Sequence, residues 1–304
     1  MTSGGPPKLW AVVGATGTGK SGLSLDLAER LDRMGRSAEI VNADAMQVYR
    51  GMDIGTAKVP VDERRCVPHH LFDVREPAEE ATVAWYQPTA RETIERILAR
   101  GADAILVGGS GLYVSSAVFD FRFPPRDHAV RARLDAELES EGVDRLFARL
   151  QCLDPDAAAV VDGRNGRRVV RALELHELGA TAHGALPDTP VLWRDDTRIV
   201  GVRAERSVLV ERLDRRVERM WAEGLVAEVE GLIAHGIADG PTASRAIGYA
   251  QALAQVRGQL TEADAIAETQ RLTRRYARRQ VSWFRRYPDV HWLDEPAADA
   301  IDVC

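Results

Sequence analysis

An eight-residue segment near the N-terminus has the residue types and spacing of a phosphate-binding loop. Gly14 and Gly19 enclose four residues, and Lys20 and Ser21 follow directly. In such a loop the backbone amides and the next helix N-terminus surround an anion, which the lysine neutralises. The serine hydroxyl can bind Mg²⁺ beside the same anion. The predicted phosphate-binding residues are Gly14, Ala15, Thr16, Gly17, Thr18, Gly19, Lys20 and Ser21, with Ser21 as the metal ligand.

A second feature is the position of an acidic residue. In an ordinary P-loop ATPase, an aspartate at the end of another strand helps to bind Mg²⁺. Here the apolar segment Asp103–Gly108 is followed by Gly109 and Ser110 instead. Asp44 follows the segment Ala38–Ala43, where its carboxylate could accept a proton from a second substrate beside the phosphates. Taken alone, Asp44 could also be a turn residue or a helix N-cap.

The elements that must position these residues follow a strand–loop–helix order. Leu9–Val13 is a short apolar strand, and an amphipathic helix follows the loop to about Leu31. Ala38–Ala43 and Asp103–Gly108 are two further predicted strands, and a helix over about 84–99 lies between them. We therefore predict an α/β fold, with a P-loop NTPase-like parallel sheet core flanked by helices on both faces.

The middle of the chain has a different pattern, which is helical throughout from about 124 to 179. The predicted helical pieces there are 126–150, 156–161 and 167–178. A stretch rich in Gly, Ala, Thr and Pro, residues 179–190, is predicted as a linker. The predicted organisation is a catalytic core of residues 1–123 and 196–304 with an inserted all-helical domain of residues 124–195.

The α/β pattern resumes after the linker. Arg198–Arg203 is a predicted strand, and Val290–Leu293 is a last short one. Between them, apolar residues at helical spacing predict one long helix. These apolar positions are Leu209, Leu213, Val217, Met220, Leu225 and Val229.

Composition limits the class of protein. Of the 304 residues, 45% are hydrophobic and 28% charged, which is typical of soluble globular proteins. No apolar run reaches the roughly 18–20 residues of a membrane span, and the first residues lack the pattern of a secretory signal. The three cysteines are far apart in the sequence, which predicts neither a disulfide framework nor a CxxC metal site. We expect a cytoplasmic monomer with no membrane contact.

Charge is unevenly distributed along the chain. The net charge is −6, yet the segment Arg271–Arg286 contains seven arginines and no acid. An acidic protein with one concentrated basic stretch can bind a polyanion there. Alone, the same stretch is as often a solvated face of an amphipathic helix.

Seven segments distributed along nearly the whole chain match the motifs of one family in order. They are Asp44–Lys58, His69–Asp73, Leu106–Tyr113, Asn165–Glu174, Arg212–Met220, Ala246–Tyr249 and Arg278–Arg285. In these segments the chain resembles the tRNA dimethylallyltransferases, also called tRNA isopentenyltransferases or IPP transferases, in their bacterial form. It departs from the usual family residues at Ala15, where proline is common, at Ala45, where serine is common, and at Ser110, where threonine is usual.

The resemblance implies a reaction. Members of this family transfer a dimethylallyl group from dimethylallyl diphosphate to N6 of adenosine 37, beside the anticodon, in tRNAs that read codons starting with U. The P-loop would then bind a prenyl diphosphate with Mg²⁺, and Lys20 would stabilise the diphosphate leaving group. By the same resemblance, Arg216 is a second cation at that group, and Asp44 orients the amine or accepts its proton.

The resemblance also implies which residues contact the tRNA anticodon stem-loop. The target adenine has to leave its stack to reach Asp44. The implied tRNA-binding residues are Asp44, Ala45, Met46, Gln47, Ser110, Arg131, Arg168, Arg171, Arg278, Arg279, Gln280, Trp283 and Arg285.

Other functions share parts of this pattern. A P-loop kinase of a small metabolite would use the loop and Asp44, but it gives no reason for the segment Asp53–Lys58 or for the basic stretch. A prenyltransferase acting on a free adenine nucleotide would not need the large helical insertion. A non-catalytic RNA-binding protein with a vestigial loop would not need Lys20, Ser21 and Asp44 together. The roles of Asp53 and Lys58 themselves, in chemistry or in holding the loop, stay open at this level.

Overall fold

Six parallel strands form one sheet in the order β3-β2-β4-β1-β5-β6 in a computed structural model, which describes residues 5–120, 123–180 and 190–303. The strands are β1 Leu9–Gly14, β2 Ala38–Asn42, β3 His69–His70, β4 Asp103–Gly108, β5 Arg198–Val202 and β6 His291–Leu293. The predicted α/β class and the parallel sheet are therefore confirmed. Most of the linker predicted at 179–190 lies outside the described residues.

The described helices fall into three groups along the chain. Before the insertion lie α1 Lys20–Arg33, α2 Val83–Ala99 and α3 Gly111–Val118. The insertion contains α4 His128–Glu141, α5 Val143–Leu153, α6 Pro155–Val160 and α7 Gly166–Glu177. After it lie α8 Arg206–Ala222, α9 Leu225–Ile233, α10 Tyr249–Val256 and α11 Glu262–Phe284, and short 3₁₀ turns cover Val61–Arg64, Ala243–Arg245 and Ala298–Ala300. Among the helices described, none combines the length and apolar character that crossing a bilayer would need.

The sheet has a hydrophobic core on each face because side chains alternate along its strands. On β1, Leu9 and Val13 pack with residues of α2, α3 and α11, whereas Trp10 and Val12 pack with residues of α1. Every residue of β1 and β4 is buried. A third cluster joins α8, α9 and α10 to the segment around Tyr49.

The sheet order brings the carboxyl ends of β2, β4 and β1 together, because these three strands are direct neighbours. The P-loop follows β1, Asp44 follows β2, and Gly109 follows β4. In open parallel sheets, ligands bind at this edge. Three segments far apart in the sequence are therefore placed beside one another.

The chain divides into two compact units, residues 1–120 with 189–304 and residues 121–188. Residues 189–195, which the sequence assigned to the insertion, belong to the first unit. The second unit has its own hydrophobic core from α4, α5 and α7, which includes Leu134, Leu150 and Leu173.

Two predicted helices are interrupted, and one strand escaped prediction. The single helix predicted over 126–150 is wrong: α4 ends and α5 begins at Gly142, whose φ is +83°. The long helix predicted from Leu209 to Val229 is divided in the same way at Gly224, whose φ is +100°. Glycine adopts such left-handed conformations without strain, and it ends helices for that reason. The two-residue strand β3 is too short to show a hydrophobic pattern.

Candidate active site

The P-loop has the backbone geometry that anion binding needs. Gly17 and Gly19 have φ values of +82° and +91°, and α1 begins directly after Gly19. The Thr18 hydroxyl donates a hydrogen bond to the carbonyl of Ala15 at 2.9 Å, which closes the turn. The loop therefore directs the N-terminus of a 14-residue helix, with its partial positive charge, into the cavity.

Lys20 is half-buried at the start of α1, and its Nζ donates to the carbonyl of Ala15 at 2.7 Å. Burial lowers the pKa of Lys20 to about 8, the negative charge of Asp44 raises it, and the positive charge of Arg216 lowers it. An anion at this position would restore the ordinary pKa by replacing the lost solvation with a direct charge pair. The energetics therefore favour an anionic ligand.

The Asp44 carboxylate is held by its own turn. The side chain of Asn42 accepts from the Asp44 amide at 2.9 Å and donates to the Asp44 carbonyl at 3.2 Å. The Asp44 Oδ1 in turn accepts from the amide of Met46 at 2.9 Å. This Asx-type turn explains why an aspartate can stay fixed immediately after β2 while its carboxylate faces the cavity.

Arg216 reaches the P-loop from α8. Its Nη1 donates to the Thr16 hydroxyl at 3.0 Å, and its Nη2 lies 3.5 Å from the carbonyl of Thr56. Burial lowers the pKa of Arg216, and the charge of Asp44 opposes that shift. Two cations, Lys20 and Arg216, thus face one carboxylate, and the net charge of +1 suits an anion.

Two cavities meet at this cluster. One, of about 280 Å³, is lined by the P-loop, Ser21 and His69; the other, of about 290 Å³, lies toward α8 and α10. Both are lined by four shared residues, Thr16, Asp44, Thr56 and Arg216. The second cavity also has apolar walls from Met46, Leu213, Val217, Met220, Ile247 and Tyr249. A molecule with a charged end and an apolar end can therefore extend from the first cavity into the second.

The segment Asp53–Lys58 is held by a buried lysine. The Lys58 side chain is 3% exposed, and its Nζ lies 2.6 Å from a carboxylate oxygen of Asp53 and 2.6 Å from one of Asp73. It also donates to the carbonyl of Tyr49 at 2.9 Å. Because its ammonium group is bound to these three partners, Lys58 does not line the first cavity. The contacts indicate that it holds the segment in place.

A second bond network attaches the same segment to α9 and α10. Glu228 accepts from the amides of Asp53 at 3.2 Å and Ile54 at 2.8 Å, and it accepts the hydroxyl of Tyr249 at 2.5 Å. Gly55 lies against the Tyr249 ring so closely that a Cβ there would be 2.4 Å from a ring carbon. These contacts fix Thr56, which lies at the boundary between the two cavities.

The residues that follow Asp44 border both cavities, with Ala45 and Met46 at the second and Gln47 at the first. The amide of Ala45 donates to the Ser110 hydroxyl at 3.0 Å, so the loop after β2 is joined to the loop after β4. Gln47 donates through Nε2 to the carbonyls of Thr56 at 3.1 Å and Ala57 at 3.3 Å. Ala45 and Ser110 line the cavity together with Met46.

Helix α11 divides its predicted RNA-binding residues between two faces. Arg278, Arg279 and Arg285 are exposed. The guanidinium of Arg279 lies 5.7 Å from the centre of the Tyr276 ring. Trp283 is half-buried, and its indole N–H donates to the Ser115 hydroxyl at 3.1 Å. Gln280, in contrast, is only 3% exposed.

The three arginines predicted in the insertion also have different settings. Arg168 is exposed at the start of α7. Arg131 and Arg171 lie 3.5 Å and 2.9 Å from Glu174 Oε2, and the side chain of Glu174 is fully buried. Arg171 further donates to the carbonyl of Pro125 at 3.0 Å. The positions of Arg131 and Arg171 within the second unit are therefore set by a common carboxylate, that of Glu174.

Sequence reasoning missed several residues that line the cavities. Thr273 and Tyr276 face the second cavity from α11, and burial raises the pKa of Tyr276 to about 12. Their spacing from Gln280, seven and four residues, places all three on one helix face. That spacing was visible in the sequence, but nothing in it indicated which face was turned inward.

The fold and the site together define a P-loop α/β protein with a compact anion site and an adjoining partly apolar cavity. The family model described as IPP transferase matches residues 47–287. The chain therefore belongs to the IPP transferase family.

Curated relatives cover nearly the whole chain. A tRNA dimethylallyltransferase from Clavibacter sepedonicus is 59% identical over 284 residues, which are 93% of this chain and 92% of that protein. One from Streptomyces avermitilis is 51% identical, covering 100% of this chain and 96% of the relative.

Solved structures have the same fold. The tRNA isopentenylpyrophosphate transferase of Bacillus halodurans is 40% identical, with a TM-score of 0.66 over 94% of this chain and 89% of that one. A eukaryotic dimethylallyltransferase, in a structure described as acting on tRNA, is 28% identical, with a TM-score of 0.73 over 91% of this chain and 70% of that one.

Proposed function

We propose that the protein transfers a dimethylallyl group from dimethylallyl diphosphate to N6 of adenosine 37, next to the anticodon, in tRNAs that read codons starting with U. The products are N6-(dimethylallyl)adenosine and diphosphate. The observation that carries the proposal is the convergence of Arg216 and Asp44 at the boundary between a charged and a partly apolar cavity, with Lys20 in the charged one, in a chain of the IPP transferase family.

The charged cavity suits the diphosphate. The carbon–oxygen bond to the dimethylallyl group breaks, and the diphosphate leaves with the bonding electron pair. Lys20 and Arg216 lie where this negative charge develops, and fixed cations in a half-buried site stabilise it strongly. The dimethylallyl chain would lie toward the apolar walls near Leu213 and Val217.

Asp44 lies between the two cavities and suits the acceptor amine. As N6 forms its bond to the dimethylallyl carbon, its proton passes to the Asp44 carboxylate. The bond from the Met46 amide leaves the second carboxylate oxygen to face the cavity. The N6 amine is a weak nucleophile, and positive charge would build on it as the new bond forms. A positioned carboxylate that accepts the proton removes this charge and so favours the attack.

Magnesium fits the P-loop at Ser21. Its side chain is exposed at the wall of the first cavity, and no hydrogen bond occupies its hydroxyl within the part of the chain that is described. Mg²⁺ prefers oxygen ligands and retains water beside phosphates, so one hydroxyl with diphosphate oxygens suffices. When bound, the ion would add positive charge at the leaving group.

The acceptor RNA would enter from the second cavity. An adenine has to be displaced from its stack to place N6 at Asp44. Exposed Arg278, Arg279 and Arg285 on α11, and Arg168 in the insertion, are proposed to bind phosphates of the anticodon stem-loop. Met46 and Ser110 are proposed to contact the displaced base.

The test is product analysis. The purified protein, Mg²⁺ and dimethylallyl diphosphate are incubated with an anticodon stem-loop that has adenosine at position 37. Mass spectrometry of the digested RNA should detect one adenosine heavier by a dimethylallyl group. A matched stem-loop with guanosine at that position should stay unmodified. No added dimethylallyl group in the adenosine-37 stem-loop, together with phosphate transfer from ATP to a small metabolite, would overturn the proposal.

A further inference from the structure

Gln280 has a setting that separates it from its neighbours on α11. Its side chain is 3% exposed, although Arg278 and Arg279 beside it are exposed. Its Oε1 accepts from the amide of Thr16 in the P-loop at 2.8 Å, and its Nε2 donates to the carbonyl of Gly109 after β4 at 2.7 Å. Both ends of the carboxamide are therefore occupied by backbone groups of the two loops that border the diphosphate cavity.

The chemistry of these contacts requires a carboxamide. The Thr16 amide can only donate and the Gly109 carbonyl can only accept, which fixes the orientation of the Gln280 side chain. The fit is also close, since a Cβ added to Gly109 would lie 2.3 Å from Gln280 Nε2. A glutamate could accept from Thr16 but would oppose the carbonyl of Gly109, and a methionine could serve neither group.

Thr16 connects this contact to the catalytic arginine. Its hydroxyl accepts from Arg216 Nη1 at 3.0 Å, while its amide is directed to Gln280. Thr16 also lines both cavities. Any shift of the loop at Thr16 would thus change where the Arg216 guanidinium lies relative to the diphosphate.

We propose that Gln280 is a positioning residue of the diphosphate site: it fixes Thr16 and, through Thr16, Arg216. This rests on the proposed prenyl transfer, in which Arg216 stabilises the leaving group. We assign Gln280 to this site rather than to the tRNA contacts that the resemblance implies, because its side chain is 3% exposed and its carboxamide already bonds to both loops.

The experiment compares Gln280→Met and Gln280→Glu with Gln270→Met. Gln270 is on the same helix, bonds to Asp214 and Glu218, and lines neither cavity, so it controls for the same substitution on α11. Three quantities are measured: Kd for dimethylallyl diphosphate by calorimetry, Kd for the anticodon stem-loop without diphosphate, and kcat. Thermal denaturation establishes that each variant is folded.

We expect Gln280→Met to weaken diphosphate binding and lower kcat by about 10- to 100-fold each, because two buried backbone groups lose their partner. The RNA Kd should stay within about twofold of wild type, because the exposed arginines of α11 that are proposed to bind its phosphates are unchanged. If Gln280→Met does not fold, Gln280→Glu supplies the same comparison. A weaker RNA Kd with unchanged diphosphate binding, or no change in any quantity, would overturn the proposal.

A double-variant comparison distinguishes positioning from general support of the fold. If Gln280 acts through Arg216, then Gln280→Met should lower kcat much less in an Arg216→Gln background than in wild type. Fully additive losses would overturn the proposed route. The diphosphate Kd is measured without RNA, so a change in it tests the role of Gln280 separately from whether the stem-loop is modified.

Discussion

At the scale of single residues, the charge of Lys20 depends on its surroundings. Burial lowers its pKa, Asp44 raises it and the nearby positive charge of Arg216 lowers it, and the pKa that results is about 8. Above that pH, the free protein increasingly has a neutral lysine. A bound diphosphate stabilises the charged form, so binding above this pH must take up a proton.

The first prediction concerns this proton uptake. The Kd for dimethylallyl diphosphate should rise by about tenfold per pH unit above about pH 8 and stay nearly flat below it, because only above that pH does a neutral Lys20 have to be protonated on binding. Calorimetry between about pH 7 and about pH 10 measures it. Lys20→Arg keeps its charge throughout and should show little slope. A flat wild-type profile would contradict the assignment of Lys20.

The second prediction concerns Asp44. Asp44→Asn should lower kcat by about 100-fold or more, because an amide cannot accept the N6 proton. Its Oδ1 can still accept from the Met46 amide, so the turn is preserved. Diphosphate binding should be retained or become tighter, since a carboxylate near the anion is removed. Loss of diphosphate binding would instead indicate that Asp44 binds the metal ion or stabilises the loop.

At the scale of elements, the segment Asp53–Lys58 is fixed from two sides. Lys58 attaches it to Asp73 and to the carbonyl of Tyr49, while Glu228 holds its first amides. The carbonyl of Thr56, at the centre of the segment, accepts hydrogen bonds from Arg216 and Gln47. A short irregular segment can thus form part of the active-site wall because buried charge pairs and backbone bonds replace the regular bonds of a helix or strand.

The third prediction tests this arrangement. Lys58→Met should lower the free energy of unfolding by about 1–3 kcal/mol, because it leaves two carboxylates and one buried carbonyl without their cation. The partial exposure of Asp53, at 57%, keeps the loss below that of a fully buried pair. Urea denaturation measures it. Arg65→Met, which breaks an exposed pair with Asp26, should change stability by less than about 0.5 kcal/mol; an equal loss in both variants would contradict the prediction.

The elements themselves were largely predictable, and the exceptions besides the two-residue strand β3 are two helix breaks of one kind. The strands β1 and β4 and the helix α2 follow from continuous apolar runs and helical spacing. The breaks at Gly142 and Gly224 do not, because the apolar period continues on both sides of each glycine. A tolerated glycine within a helix and a glycine that ends one look alike in sequence.

At the scale of the whole molecule, predictability depends on sequence separation. The P-loop is a local motif, and its geometry follows from eight consecutive residues. The contact between Thr16 and Gln280 joins residues 264 positions apart, and no local pattern indicates it. The sequence therefore predicts the chemical groups of the site well, whereas the bonds that hold them are set by how β1, β4 and α11 pack.

The proposed RNA contacts also belong to this scale, since they come from both units. Arg168 is exposed in the insertion and Arg278 is exposed on α11, and neither has an ion-pair partner in the regions that the structure covers. When such arginines bind phosphates, the counterions associated with the RNA are released into solution. Each contact contributes about 0.7–0.9 to the slope of log affinity against log salt.

The fourth prediction follows from this additivity. Arg168→Gln and Arg278→Gln should each lower the salt slope of stem-loop binding by about 0.7–0.9, and the double variant by about twice as much. The kcat at saturating RNA should change little, because neither arginine lines the cavities. Arg145→Gln, an exposed arginine paired with Glu141, is the control and should leave the slope unchanged. If only one of the two predicted variants lowers the slope, RNA is bound by that unit alone, and a double variant with the wild-type slope would exclude both arginines as phosphate contacts.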